Sequence, residues 1–164
     1  MADLNHGALS AGATSGTRGG RPPRPLHLLV VDDESSVREV LALMLTQEGH
    51  DVVTAQNGAE ALDFFVRDRW DVVITDRSMP IMRGDELAAK IKQWSPETPV
   101  VLLTGFAGPM ELTGTHARFF DMVLHKPFTV IALREGLEWL MSVDRSPERQ
   151  PPGPRQMRSG FVNS

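Results

Sequence analysis

The sequence predicts a doubly wound α/β fold, in which helices cover both faces of a five-stranded parallel sheet. Continuous apolar runs, typical of strands that are buried on both faces, alternate with segments whose apolar residues recur at helical spacing. Four of these runs lead into polar or charged side chains, at Asp32-Asp33, Asp76, Thr104 and Lys126. Because the carboxyl ends of parallel strands meet at one edge of a sheet, we expect a functional site at that edge.

The first strand–helix unit is predicted at residues 26–49. Its strand covers residues 26–31, and its helix stops at Gly49, a residue that commonly ends helices. The helix is predicted from apolar residues that share one face, namely Val37, Val40, Leu41, Met44 and Leu45.

The second unit joins a short strand, residues 51–54, to a helix with a clear start signal. Asn57 is a favoured N-cap residue, and Glu60 follows three positions later, as in a capping box. The residues that this helix is expected to bury are Ala61, Leu62 and Phe65.

The third and fourth strands are predicted at residues 71–76 and 100–103. Between them, a helix from about Gly84 to Trp94 has apolar residues at helical spacing, and prolines at 96 and 99 mark the entry to the fourth strand. The residues expected on the inner face of this helix are Leu87, Ala88, Ile91 and Trp94.

The last part of the domain is less regular. Residues 107–116 contain two glycines and a proline, so a fourth helix there is expected to be short. The fifth strand is predicted at residues 119–124 and the fifth helix at residues 128–142. The inward-facing residues of the fifth helix are expected to be Val130, Leu133, Leu137, Leu140 and Met141.

Both ends of the 164-residue chain differ in composition from the middle. Residues 1–25 are rich in small residues and finish in a Pro/Arg segment, and residues 143–164 contain four prolines and four arginines. Such segments cannot bury enough apolar surface to offset their chain entropy. We therefore expect one folded domain at residues 26–142, between two disordered tails.

Charge and composition exclude several classes of function. Residues 26–143 hold 18 acidic and 10 basic side chains, a net charge of −8, which argues against direct DNA binding by the domain. There is no cysteine, so disulfides and thiolate chemistry are excluded. No run is long enough to span a membrane and no signal peptide is recognisable, so a cytoplasmic protein without membrane contact is expected.

The carboxylates at the predicted sheet edge are suited to one hard divalent cation. Asp33 and Asp76 can bind Mg²⁺ through oxygen, and Asp32 can reach it directly or through water. The backbone carbonyl of Ser78, on the turn that follows Asp76, is a plausible further ligand.

Lys126 and Thr104 complete a site for a phosphoryl group. The lysine can hold a phosphoryl oxygen as a point charge, and the threonine hydroxyl can donate a hydrogen bond to another oxygen. Gly105 keeps the approach open, and Pro127 rigidifies the bend after Lys126.

These residues resemble the receiver domain of two-component response regulators. The matching segments are Val31-Asp32-Asp33-Glu34, Asp76-x-x-Met79-Pro80 with Gly84, Leu103-Thr104-Gly105 and His125-Lys126-Pro127-Phe128. One such motif is weak evidence, but four in this order at strand ends are highly specific. The resemblance covers about residues 26–142 and implies a flavodoxin-like sheet with strand order 2-1-3-4-5.

The resemblance also implies roles for the residues of the site. Asp76 would accept a phosphoryl group from a histidine kinase or a histidine phosphotransfer protein, while Asp32 and Asp33 would bind Mg²⁺. Thr104 would report phosphorylation, and Lys126 would contact the phosphate.

One position departs from the family's pattern. Receivers usually carry an aromatic residue three positions before the lysine, and its rotamer follows the movement of the hydroxyl residue. This chain has Val123 at that position. The phosphorylation chemistry is unaffected, but the usual aromatic readout is not available.

The expected function is phosphorylation-dependent signalling by a single-domain regulator that is not itself an enzyme. The 22 residues after Ser142 are too few for an output domain, so output is expected to pass through a protein partner or by onward phosphotransfer. One alternative is a receiver module related to a hybrid histidine kinase. Another is a Mg²⁺-dependent aspartyl-phosphate hydrolase of the haloacid dehalogenase kind. Such a hydrolase needs a second Asp two residues after its nucleophile, where this chain has Ser78 after Asp76 and Ser35 after Asp33. A pseudo-receiver scaffold is a third alternative, which the intact acidic site disfavours.

Overall fold

Six parallel strands form the sheet in the computed structural model, which describes residues 24–105, 117–143 and 155–157. The strands are β1 (His27–Val31), β2 (Asp51–Ala55), β3 (Val72–Asp76), β4 (Val100–Thr104), β5 (Met122–His125) and β6 (Arg155–Met157). Their order is β2-β1-β3-β4-β5-β6, and every pairing is parallel. The predicted doubly wound class and the order of the first five strands are therefore confirmed.

Four α-helices connect or follow the strands within the described residues. They are α1 (Ser35–Gln47), α2 (Gly58–Phe65), α3 (Gly84–Trp94) and α4 (Val130–Ser142), and a single 3₁₀ turn covers Ala117–Phe119. The predicted start of α2 is confirmed, because the side chain of Asn57 accepts a hydrogen bond from the Glu60 amide at 2.9 Å. The predicted helix at residues 107–116 lies outside the described residues. None of the helices in the described ranges is long and apolar enough to cross a membrane.

The core consists of two layers, one on each face of the sheet. Alternate strand residues point to opposite faces, and each set meets its own pair of helices. On one face α1 and α4 cover a cluster that includes Leu28, Val30, Ile74, Leu103 and Leu124. On the other face α2 and α3 cover a cluster that includes Leu29, Val31, Val73, Leu102 and Val123.

Two residues that the helical spacing placed on inner faces are exposed in the structure. Val40 on α1 is 49% exposed and Trp94 at the end of α3 is 53% exposed. The prediction was wrong for both because an apolar residue at helical spacing can lie at the margin of the buried stripe, where its neighbours do not cover it.

The boundaries of the predicted domain also differ from the structure. Arg24, placed in the amino-terminal tail, donates to the Asp71 carboxylate at 2.6 Å and 3.0 Å, at the edge where the strands begin. The fifth strand starts at Met122 rather than at residue 119, because Ala117–Phe119 form the 3₁₀ turn. Residues 155–157, placed in the carboxyl-terminal tail, form β6. The other tail residues, 1–23, 144–154 and 158–164, lie outside the described residues.

Candidate functional site

A lysine bridges two aspartates at the carboxyl edge of the sheet. The Nζ atom of Lys126 lies 2.9 Å from Oδ2 of Asp32 and 2.9 Å from Oδ1 of Asp76. Asp32 follows β1, Asp76 ends β3 and Lys126 follows β5, so the sheet brings together groups that are up to 94 residues apart in sequence. The Asp32 side chain is 1% exposed, while those of Asp76 and Lys126 are 15% and 23% exposed.

Backbone amides orient both carboxylates. The Ser78 amide donates to Oδ2 of Asp76 at 2.7 Å, and the Glu34 amide donates to Oδ1 of Asp32 at 3.0 Å. Each carboxylate therefore has one oxygen on an amide and the other on the lysine. This pairing fixes the plane of the Asp76 carboxylate, which is the group expected to react.

The chain beside Asp76 tolerates only glycine at position 84. A Cβ atom on Gly84 would overlap the carbonyl oxygen of Asp76, which also accepts a hydrogen bond from the Thr75 hydroxyl at 2.8 Å. The Gly84 amide in turn donates to the carbonyl of Arg77 at 3.0 Å and closes the loop. Gly84 therefore allows α3 to begin directly against the end of β3.

An open cavity of about 390 Å³ covers the site. Its lining residues are Asp33, Glu34, Asp76, Arg77, Ser78, Leu103, Thr104, Gly105 and Lys126. The structure therefore places Thr104 and Gly105 in the same cavity as Asp33, Asp76 and Lys126. A larger cleft of about 630 Å³ lies at the opposite edge, where residues such as Trp70, Asp71 and Pro99 precede the strands.

A backbone hydrogen bond at the carboxyl ends of β4 and β5 positions the lysine. The Lys126 amide donates to the carbonyl of Thr104 at 2.7 Å, and the Lys126–Pro127 peptide bond is cis. Thr104 is the last residue of β4 and is 7% exposed. Lys126 and Thr104 are thereby held side by side at the end of adjacent strands.

The charge of Lys126 is stabilised by its surroundings. Burial by itself disfavours an ammonium, but the hydrogen bonds and negative charges of Asp32 and Asp76 outweigh it and raise the lysine pKa above its ordinary value. Lys126 is therefore a fixed positive charge at neutral pH, as a contact for phosphoryl oxygens requires.

Asp33 lines the cavity but is less tightly placed than the other two aspartates. It is exposed, and within the described ranges no three His, Cys, Asp or Glu side chains form a preformed metal site. Mg²⁺ needs only one or two carboxylates, because waters and phosphate oxygens complete its coordination. The oxygen-rich set Asp32, Asp33 and Asp76 fits such a loosely held cation. The predicted role of the Ser78 carbonyl stays a prediction.

Arg38 is a further contributor that the sequence did not indicate. Its Nη1 atom donates to the carbonyls of Asp32 and Asp33, at 2.6 Å and 3.0 Å. This guanidinium fixes the backbone of the acidic pair from the first turns of α1. Because the contacts are to backbone oxygens, no pattern of side chains could have revealed them.

A doubly wound sheet that holds a lysine between two aspartates at its carboxyl edge places the chain among the α/β domains whose site lies at the strand ends, and comparison with known proteins specifies the family. Residues 28–138 match the model of the response regulator receiver domain. The chain belongs to this family, as its four motifs had indicated.

Individual relatives agree with this assignment. The transcriptional regulatory protein GlrR of Escherichia coli is 39% identical over 116 residues, which cover 70% of this chain and 26% of GlrR. The chemotaxis response regulator CheY4 of Vibrio cholerae superposes with a TM-score of 0.66 at 30% identity, over 71% of this chain and 99% of CheY4. The chain therefore spans about a quarter of GlrR but nearly all of CheY4.

A third relative was solved with ligands and with a partner. The response regulator TrrA of Thermotoga maritima has a TM-score of 0.65 at 34% identity, over 70% of this chain and 98% of TrrA. It was solved in complex with Mg(2+)-BeF, and also in a complex with the histidine kinase ThkA.

Proposed function

We propose that this chain accepts a phosphoryl group on Asp76 from a histidine kinase or a histidine phosphotransfer protein. The observation that carries the proposal is the Lys126 bridge, which holds the Asp76 carboxylate and a positive charge together in an open cavity. A carboxylate there can meet an incoming phosphoryl group while the lysine neutralises the negative charge of its oxygens.

The proposed transfer forms one bond and breaks another. An oxygen of Asp76 attacks phosphorus, and the bond from phosphorus to the donor's imidazole nitrogen breaks, leaving its electron pair on that nitrogen. Lys126 contacts one phosphoryl oxygen and the Thr104 hydroxyl donates to another. Catalysis at such a site comes mainly from positioning and charge neutralisation.

We propose that Asp32, Asp33, Asp76 and the carbonyl of Ser78 hold Mg²⁺. When bound, the cation supplies positive charge that offsets the carboxylates and the phosphoryl oxygens. The complex of TrrA with Mg(2+)-BeF supports this assignment for a relative at 34% identity.

Two observations support the proposed signalling role, namely the kinase complex of a relative and the net negative charge of the domain. A histidine kinase as donor is supported by the complex of TrrA with ThkA. We propose that the phosphorylated domain acts on a downstream protein partner or passes the phosphoryl group onward, and that it converts no external metabolite. Its net charge of −8 over residues 26–143 is unfavourable for direct DNA binding by the domain.

Phosphorylation with acetyl phosphate and Mg²⁺ tests the proposal. The intact mass should rise by one phosphoryl group in the wild type, and Asp76→Asn should show no increase. Lys126→Ala should be phosphorylated at least tenfold more slowly, since removal of one hydrogen-bond donor to the developing negative charge typically costs a factor of about 100 to 1,000. The exposed Lys90 on α3 provides a matched control, and Lys90→Ala should behave as the wild type. A phosphoryl group mapped to a histidine would contradict the assignment.

A further inference from the structure

The position where receivers usually carry a switching aromatic residue holds a fully buried valine in this protein. Val123 lies in the middle of β5, is 0% exposed and belongs to the core cluster that contains Leu102 and Phe120. A buried β-branched side chain is restricted at χ1, and close packing of the core leaves it little room to change position. Phosphorylation must therefore be read out by another residue.

His125 occupies the next position on the same face of the sheet. Side chains alternate along a strand, so His125 points to the same face as Val123, and Thr104 points to the same face as Leu102. Thr104 and His125 are also register partners in the pairing of β4 with β5. Their side chains are therefore direct neighbours on adjacent strands, which lie about 4.8 Å apart.

The ring of His125 has unused hydrogen-bonding capacity. Both of its nitrogens are shielded from solvent, and neither has a hydrogen-bond partner among the described residues. A buried polar atom without a partner costs about 1–3 kcal/mol, so such atoms are rare and call for an explanation. The residue paired with His125 in the strand register is Thr104, whose hydroxyl the proposed function assigns to the phosphoryl group.

We propose that His125 is the readout residue, and that it senses phosphorylation through the Thr104 hydroxyl. This inference rests on the proposed function of Asp76. A hydroxyl has one proton and two lone pairs. Once the proton of Thr104 is donated to a phosphoryl oxygen, its oxygen can only accept. A ring N–H of His125 then donates to it. The result is a chain of hydrogen bonds from phosphoryl oxygen to threonine to imidazole.

This arrangement transmits the signal without a swinging aromatic. The imidazole reorients towards Thr104 when the phosphoryl group is present and loses that partner when the group leaves. His125 ends β5 and directly precedes Lys126, whose amide donates to the Thr104 carbonyl at 2.7 Å, so movement of His125 is coupled to the backbone at the ends of β4 and β5. His125 is thus a positioning residue for the output and takes no part in the transfer itself.

Side-chain NMR of the full chain tests the inference. Imidazole signals are recorded from protein with ¹³C- and ¹⁵N-labelled histidine, before and after addition of beryllofluoride and Mg²⁺. The His125 signal should shift, while the signals of His27 and His50, which lie at the opposite edge, should not. Thr104→Val, which removes the hydroxyl and keeps the shape, should abolish the His125 shift.

Variants of His125 separate readout from a merely structural role. Backbone amide shifts induced by beryllofluoride at residues 122–124 should be lost in His125→Leu and recovered in His125→Gln, which retains an N–H donor. The induced shift of the Ser78 amide, and phosphorylation by acetyl phosphate, should be the same in all three proteins.

The outcomes are distinguishable. If the Ser78 amide responds to beryllofluoride and His125 does not, the inference is wrong and the proposed function stands. If His125→Leu transmits the change to β5 as well as the wild type does, the inference is also wrong. If the Ser78 amide does not respond in any variant, the proposed function fails, and the inference fails with it.

Discussion

Ile81 combines two unfavourable features in the loop that follows Asp76. Its φ angle is 68°, and it is 82% exposed. The Met82 amide donates to the Pro80 carbonyl at 2.8 Å, which makes these three residues a γ-turn with a β-branched residue at positive φ. The conformation persists because its neighbours impose it, since the Met82 carbonyl also accepts from the Gly58 amide at 3.3 Å.

Ile81→Gly should therefore stabilise the protein. Relief of the strain is worth about 1–3 kcal/mol, and the greater entropy of an unfolded glycine costs about 1 kcal/mol, so we expect a net gain of about 1 kcal/mol. Denaturant unfolding measures the change. Ile81→Ala is the matched control, because it removes the exposed side chain but keeps a Cβ at positive φ. Equal stability of the two variants would show that the backbone is not strained.

Lys126 links the site to stability through pH. Its pKa is raised in the folded protein, so its contribution to stability is fully present below the ordinary lysine value of 10.5 and is lost as pH rises through the folded pKa.

Lys126→Met at neutral pH leaves the Asp32 carboxylate, 1% exposed, without its ion-pair partner. We expect a loss of about 2 kcal/mol, less than for a fully buried pair because the lysine is partly exposed.

The difference in free energy of unfolding between wild type and Lys126→Met should shrink at alkaline pH. Denaturant unfolding without metal, at about pH 7 and at several values above about pH 10, measures it. Lys90→Met, on the exposed side of α3, controls for general alkaline effects. A difference that is constant across this range would show that the ion pairs do not carry the stability.

Among the elements, the sequence patterns predicted every strand that carries an apolar run, including the partly exposed edge strand β2, and missed only the short polar strand β6 within the described residues. Strands β1, β3 and β4 are continuous apolar runs, because helices cover them on both sides. The edge strand β6 has three residues, of which only Met157 is half-buried. It is too short for an alternation of apolar and polar residues to be recognised in the sequence. For β5, the apolar pair Phe119-Phe120 looks like the start of a strand, but Phe119 belongs to a 3₁₀ turn and Phe120 fills the core beside it.

The same contrast applies to the candidate site. Four residues of the site were predictable because each follows or ends a recognisable strand, namely Asp32, Asp76, Thr104 and Lys126. The parallel topology then brings the ends of these strands together at one edge of the sheet. The contacts of Arg38 and Gly84 were not, since they involve backbone oxygens whose positions depend on the finished fold.

The sixth strand protects the edge of the sheet. Met157 packs against the core cluster under α1 and α4, and the Arg155 guanidinium lies 5.3 Å from the centre of the Trp139 ring. The Arg155 amide donates to the Asp121 carbonyl at 3.2 Å, which aligns β6 with β5. Without β6, the unpaired backbone of β5 would be available to another chain.

Met157→Ser should weaken the packing of β6 against the core, so that β6 separates from β5. We expect a loss of about 1–2 kcal/mol, below the cost of truncating a fully buried methionine, because Met157 is only partly covered. Association should also become concentration-dependent, as sedimentation or light scattering would detect. Gln156→Ser, at the exposed middle position of β6, is the matched control. If both variants match the wild type in stability and mass, β6 does not protect the edge.

At the scale of the whole molecule, negative charge is concentrated at one edge of an acidic domain. Asp32, Asp33 and Asp76 lie at this edge. The Lys126 ammonium lies between Asp32 and Asp76. A hard cation that binds only the folded site stabilises it by RT ln(1 + [L]/Kd). This amounts to about 1–3 kcal/mol at tens to a hundred times Kd. Since no three carboxylates in the described ranges are preformed as a metal site, we expect weak binding.

Thermal melts with and without about 10 mM Mg²⁺, a concentration chosen to exceed a weak Kd, test this expectation. The wild type should melt at a higher temperature with the cation, and Asp33→Ala should lose most of that increase. Without metal, Asp33→Asn should melt above the wild type, because removing one of the like charges relieves repulsion that Lys126 only partly offsets. Asp63→Asn, on the exposed face of α2, controls for the general effect of removing a negative charge from an acidic domain. If Asp33→Ala keeps the full Mg²⁺ response, Asp33 is not part of the metal site. If Asp63→Asn raises the metal-free melting temperature as much as Asp33→Asn, the gain reflects the net charge of the domain and not repulsion within the site.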